Sequence, residues 1–190
     1  MKYAAVAAAA LLAACQPQQQ DQAATPPPGP APGTPEWKIQ NAMSAAPMSI
    51  AGGATLMDWG ATMDAPPVQL RAGTNGWTCF ADVPATPGND PMCLDGVFAE
   101  WATAWMGHTT PNLKGVGFAY MLQGGSDASN TDPFAMTPKA GESWVDTGPH
   151  VMMVVPNVAS LGNLPTDHAS GHPYIMWQGT PYSHVMMPVK

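Results

Sequence analysis

Proline or glycine interrupts this chain too often to leave room for long helices. Twenty-two prolines and nineteen glycines are spread through 190 residues. Proline fixes φ and removes an N–H donor, and glycine favours turns. Their density predicts short elements joined by many turns. The stretches that escape interruption carry the strongest signals. Leu94, Val97, Phe98, Trp101, Ala102 and Trp105 recur at helical spacing. That stripe predicts a helix starting at Asp90 or Asp95, running to about Met106 and ending at Gly107. Thr34-Pro35-Glu36 predicts a second helix start, with Trp37, Gln40, Met43 and Ala46 along one face.

Eight short strands are expected at 48–51, 55–59, 68–71, 76–80, 116–122, 151–155, 174–178 and 184–188. The segment Val116–Leu122 is apolar throughout, which predicts a central strand covered on both sides. Strands that outnumber early-grouped helices point to an α+β domain with a mainly antiparallel sheet. A β-sandwich is the alternative.

The N-terminus gives the clearest address. Met1-Lys2 is a positive start, and Tyr3 to Ala14 is a short apolar run ending in Leu12-Ala13-Ala14-Cys15. This pattern is that of a secretory signal rather than a spanning helix. Leu12-Ala13-Ala14-Cys15 resembles the lipobox of bacterial lipoproteins. The resemblance implies cleavage before Cys15, lipidation of Cys15 and attachment to a bilayer by acyl chains. Gln16 after the cysteine, by the same resemblance, implies the outer membrane, facing the periplasm. Residues 1–14 are then the signal peptide and residues 15–34 a tether. The tether, rich in proline and glutamine, has no aromatic residue and no aliphatic larger than alanine. Such a segment buries too little apolar surface to order itself. As an extended spacer it reaches about 60 Å. Residues 35–190 make one domain.

The cysteine count agrees with export. Of Cys15, Cys79 and Cys93, lipidation uses the first and leaves an even pair. An oxidising compartment favours a disulfide between Cys79 and Cys93. A metal site is the competing reading, but 78–94 holds no histidine and no CxxC.

Charge narrows the partners. Six basic residues face thirteen acidic ones, for a net charge of −7. That balance opposes nucleic acid as a ligand and leaves the bilayer, reached through Cys15, as the expected partner.

Chemistry-bearing residues are few. The chain contains no GxGxxG, P-loop, HExxH or GxSxG. Three features remain. His150 and Met152 fall on one face of a strand, as do His184 and Met186. If the two strands are neighbours, two imidazoles and two thioethers converge on a site suited to copper. The competing reading is methionine as core filler and histidine bonded to backbone. The second feature is the polar loop after Leu122. Ser126, Asp127, Ser129, Asn130 and Asp132 offer oxygen ligands or a binding loop, and equally the side chains of a self-bonded turn. Third, Trp59, Trp77, Trp101, Trp105, Trp144 and Trp177 suit either a groove for a sugar or small apolar ligand, or an aromatic core.

The stretches Gly73–Cys79, Asn89–Cys93, Tyr120–Gly125 and Gly148–Met152 resemble an uncharacterised family of exported bacterial proteins. The resemblance implies a coherent domain and no particular activity. The leading expectation is a membrane-anchored, non-catalytic binding or structural module without a cofactor. The alternatives are a copper module using His150, Met152, His184 and Met186, and a hydrolase pairing an acid of the 126–132 loop with a histidine.

Overall fold

Side-chain caps start both longer helices. The computed structural model describes Met1, residues 29–60 and residues 65–189. The expected signal segment, Cys15 and the tether up to residue 28 lie outside the described residues. Helix α1 spans Pro35–Ser44, and the Thr34 hydroxyl accepts the Trp37 N–H. Helix α3 spans Gly96–Met106 after a short α2 at Met48–Ala51. Asp95 caps α3: Oδ1 accepts the Phe98 N–H at 2.7 Å. The same carboxylate, through Oδ2, accepts the Phe118 N–H at 2.7 Å. One side chain therefore starts the helix and fixes it to the sheet. An N-cap of this kind contributes about 1 kcal/mol.

The sheet strands are β1 (Thr55–Asp58), β2 (Val68–Arg71), β3 (Thr78–Phe80), β4 (Met92–Leu94), β5 (Gly117–Met121), β8 (His150–Val154), β9 (Tyr174–Met176) and β10 (His184–Pro188). A separate ribbon pairs β6 (Ser126–Asp127) with β7 (Val145–Asp146). The eight-stranded order is β2-β1-β3-β4-β5-β8-β10-β9. Only β1 and β3 run parallel among these pairs. The fold is α+β with one mainly antiparallel sheet, not a β-sandwich.

Alternation divides the core between the two faces. Leu94, Ala119, Met121, Met152, Val154, Met176 and Met186 lie in one cluster with Phe98 and Trp101 of α3. Leu56, Cys79 and Cys93 face the other way, against Ala42, Ala45, Ala46 and Ala51 around α1 and α2. Gly117 permits the close approach of α3. A Cβ there would stand 2.6 Å from the Phe98 nitrogen and 2.9 Å from Val154 Cγ2.

Several local expectations change. Met48–Ala51 is helix rather than strand. Four residues are too few for a period to separate the two. Within α1 the buried residues are Asn41 and Ala42, continued past its end by Ala45 and Ala46, and Gln40 is exposed. Small alanines let α1 approach the sheet. Strand β5 is central but not covered on both sides: Phe118 is 39% exposed, whereas Gly117, Ala119 and Met121 are buried.

Cys79 and Cys93 are disulfide-bonded and sit directly opposite each other in β3 and β4. The bridge therefore joins two strands, and Cys93 lies in β4 rather than in the helix expected from Asp90 or Asp95. The intervening hairpin loop is held by α1 and by its own side chains. Asn41 Nδ2 donates to Asn89 Oδ1 at 2.7 Å, and the Asp82 N–H donates to Asn41 Oδ1 at 2.7 Å. Asp90 is buried and accepts the Thr86 hydroxyl at 2.7 Å. Burial pushes its carboxyl up to about 6, with neighbouring Asp82 adding to the rise and the Thr86 bond opposing it.

Closing a loop of this size stabilises by about 3 kcal/mol in the chain-entropy picture. Reduction is expected to lower unfolding free energy by about 2–4 kcal/mol. Thiol labelling of denatured, unreduced protein checks the pairing, with neither Cys79 nor Cys93 reacting. Urea unfolding with and without reductant checks the size.

Candidate functional site

A surface cleft of about 510 Å³ opens where three segments meet. The β3–β4 loop supplies Pro87, Gly88 and Asn89. The chain leaving β5 supplies Gln123, Gly124, Gly125 and Ser126. The approach to β8 supplies Trp144, Asp146, Gly148 and Pro149. The β6–β7 ribbon holds the second and third segments together by pairing Ser126 with Asp146. The Thr147 hydroxyl and N–H both donate to the Gly125 carbonyl at 3.0 Å. Gly124 turns the chain at φ +102°, a conformation glycine adopts freely. The walls thus combine an indole with amide, hydroxyl and carboxylate groups.

Of the polar-loop residues singled out in the sequence, only Ser126 lines this cleft. The others shape the turn. Asp127 Oδ1 accepts the Ser129 N–H at 2.9 Å. Ser129 Oγ accepts the N–H groups of Thr131 and Asp132. Asp132 Oδ1 accepts the Phe134 N–H, and Asn130 Nδ2 donates to the Thr166 carbonyl. Oxygens of Asp127, Ser129 and Asp132 thus accept from nearby backbone, as in self-bonded turns. Among the described residues no three His, Cys, Asp or Glu side chains come together. Neither Ser126 nor Asp127 forms a hydrogen bond with a histidine among the described residues.

The loop also docks onto the sheet. Trp177 donates its indole N–H to the Ser129 carbonyl at 2.9 Å and its backbone N–H to the Asn130 carbonyl at 2.9 Å. Trp177 has φ +57°, an uncommon conformation for a bulky residue. Its ring packs against Trp101, Trp105 and His184 at centroid distances of 6.0, 5.2 and 4.9 Å. Most of these tryptophans therefore build core, and Trp144 is the one in the cleft.

Strands β8 and β10 are neighbours, as the copper expectation requires. Met152 opposes Met186 directly. The histidines do not meet in the same way. His150 opposes Pro188, and His184 opposes Met176 on β9. Antiparallel pairing thus sends them to opposite ends of the face, with α-carbons roughly 14 Å apart at ~3.4 Å per residue and ~4.8 Å per strand. Each ring instead bonds its own chain. His150 Nδ1 donates to the Gly148 carbonyl at 2.7 Å, and His184 Nδ1 to the Tyr182 carbonyl at 3.0 Å. Burial lowers both pKa values against these bonds, that of His184 to about 4 with a smaller contribution from His150. Met121, not singled out in the sequence, opposes His150 across β5.

Four buried polar atoms lack a hydrogen-bond partner among the described residues: Trp101 Nε1, Asn130 Oδ1, His150 Nε2 and Tyr174 Oη. Burial pushes the Asp127 carboxyl up to about 6, against the N–H bonds from Ser129 and Ala128. It also raises Tyr174 to about 12, with the Asp127 charge adding to the rise.

No family model, curated protein or solved structure matches this chain. Of the cleft residues, Asn89 and Gln123 fall within the stretches of family resemblance, which implies no role for them, and Asp146 lies in no motif. The polar stretch after an apolar strand is the other sequence signal beside the cleft.

The raised Asp127 pKa has a definite sign. The folded chain holds this proton up to about pH 6, the unfolded chain only to about 3.8. The carboxylate therefore weakens the fold at pH 7, and this penalty fades as pH falls through 6 toward 3.8. His150 and His184 act oppositely, because the fold favours their neutral forms. Asp127→Asn keeps an acceptor for the Ser129 N–H. It is expected to stabilise the protein at pH 7 by on the order of 1–3 kcal/mol, with the gain gone below pH 4. Urea unfolding at the two pH values measures this, and an equal effect at both would contradict it.

Proposed function

We propose that this chain is a non-catalytic binding module of the bacterial cell envelope, held on a bilayer through a lipidated Cys15. On this reading, residues 1–14 direct export and residues 15–34 are a spacer. The domain faces the periplasm from the outer membrane. No helix among the described residues is long and apolar enough to cross a membrane. The ligand is a neutral carbohydrate, and the observation that carries this is Trp144 in the cleft with Asn89, Gln123, Ser126 and Asp146. An indole face packs against the C–H face of a sugar ring. Amide, hydroxyl and carboxylate groups exchange hydrogen bonds with its hydroxyls.

Two measurements test the halves of this proposal separately. Cys15→Ser is expected to move the protein from the membrane fraction to the soluble fraction; unchanged fractionation would count against the lipid anchor. Amide NMR titration with a panel of neutral oligosaccharides is expected to shift Gly124, Gly125 and the Trp144 indole in a saturable way. Trp144→Ala is expected to weaken that binding at least tenfold, about 1.4 kcal/mol, with the unfolding midpoint nearly unchanged. Binding that persists in Trp144→Ala, or no saturable shift with any member of the panel, would remove the carbohydrate assignment.

A further inference from the structure

We infer that the inner face of β5, β8 and β10 holds a copper(I) site made from His150 Nε2 and the thioethers of Met121, Met152 and Met186. This set differs from the one the sequence suggests, since Met121 enters and His184 leaves. It does not depend on what the cleft binds.

The first observation is an idle ligand. His150 is 2% exposed, and its Nε2 has no hydrogen-bond partner among the described residues. A carbonyl only accepts, so the bond to Gly148 places the ring proton on Nδ1. Nε2 is left with a free lone pair. Metal-bound histidines are commonly oriented this way, by donating the other ring N–H to a carbonyl.

The second observation is what surrounds it. Met121 lies opposite His150 in the β5–β8 register. Met152 is two residues along β8, on the same face, and opposes Met186. Directly opposed residues place their Cβ atoms about 4.5–5.5 Å apart, within reach of long flexible thioethers. Met121, Met152 and Met186 are all buried in one cluster. Imidazole and thioether are soft neutral ligands, a set that selects copper(I) over magnesium or calcium.

The third observation is a covering glycine. Gly125 is buried and forms part of the cleft wall. A Cβ on it would stand 3.0 Å from Met121 Cε and 3.4 Å from His150 Cε1. Both side chains therefore reach one point beneath the Gly125 backbone. His184 is placed otherwise, with its ring edge-on to Trp101 and Trp177 at 5.1 and 4.9 Å.

The test uses the full chain carrying Cys15→Ser, so that no free thiol competes, with the disulfide intact. Copper(I) is supplied anaerobically against a chromophoric chelator. One equivalent is expected to bind, with sulfur and nitrogen scatterers in X-ray absorption. In protein labelled with 13C-methyl methionine, the signals of Met121, Met152 and Met186 are expected to shift together at one equivalent. Met121→Leu is expected to weaken binding at least tenfold and His150→Gln at least a hundredfold. His184→Gln is expected to leave it unchanged. If a histidine variant fails to fold, the methyl shifts of the unsubstituted chain decide. No saturable uptake, methyl shifts confined to other methionines, or equal loss in His184→Gln and His150→Gln would overturn the assignment.

Discussion

The pairing of β5 with β8 fixes nearly everything else. Its register sets Gly117 against Val154, Ala119 against Met152 and Met121 against His150. Those residues are all buried, while Phe118, Tyr120, Val151 and Met153 point the other way. A slip of one residue would turn one strand over against the other, placing Phe118 under α3 or Met152 outside, but never preserving both buried rows. The alternative loses a contiguous apolar layer, so the register is strongly specified. β10 inherits it through Met152 and Met186, and β9 through Met186 and Tyr174. The row Ala119–Met152–Met186–Tyr174 then crosses four strands beneath one cover.

The other half of the molecule hangs on the Cys79–Cys93 hairpin. The disulfide closes the base of a loop whose tip carries Asn89 into the cleft wall. Asn41 on α1 binds that loop at two points, at Asp82 and Asn89. The same helix returns a second tie, because its terminal carbonyls at Ser44 and Ala45 accept from Gln123 and Leu122. One helix therefore positions two of the three cleft segments. The third is brought in by the β6–β7 ribbon. Removing the bridge would loosen the loop at its base while these polar ties remained, so stability and cleft shape need not fail together.

Four titratable groups set in the fold pull stability in opposite directions with pH. Asp90 and Asp127 are easier to keep folded when protonated, and His150 and His184 when neutral. Their contributions offset one another between about pH 6.5 and 4. The left-handed Trp177 is held in place by two bonds from the loop and by flanking rings. That conformation costs of order 1–3 kcal/mol, and packing of this density is what sustains it.

Local physics was legible in the sequence. Val97, Phe98, Trp101, Ala102 and Trp105 made α3 while Leu94 of the same stripe fell in β4, and Thr34 capped α1, because caps and helical faces depend on residues within a few positions. Four residues at 48–51 could not distinguish strand from helix, and three at 92–94 were too short to reveal β4 beside its cysteine. The parity of three cysteines pointed to the Cys79–Cys93 bridge, but only tertiary structure made it a cross-strand link. Period-two spacing placed His150 with Met152 and His184 with Met186 on common faces. Strand direction lay beyond it: antiparallel pairing joined the two methionines, separated the two histidines and brought Met121 to His150. The cleft was equally hidden, since Asn89, Ser126 and Trp144 are remote in sequence. Spacing along a chain determines which face a side chain occupies, but only the packed sheet decides what it faces.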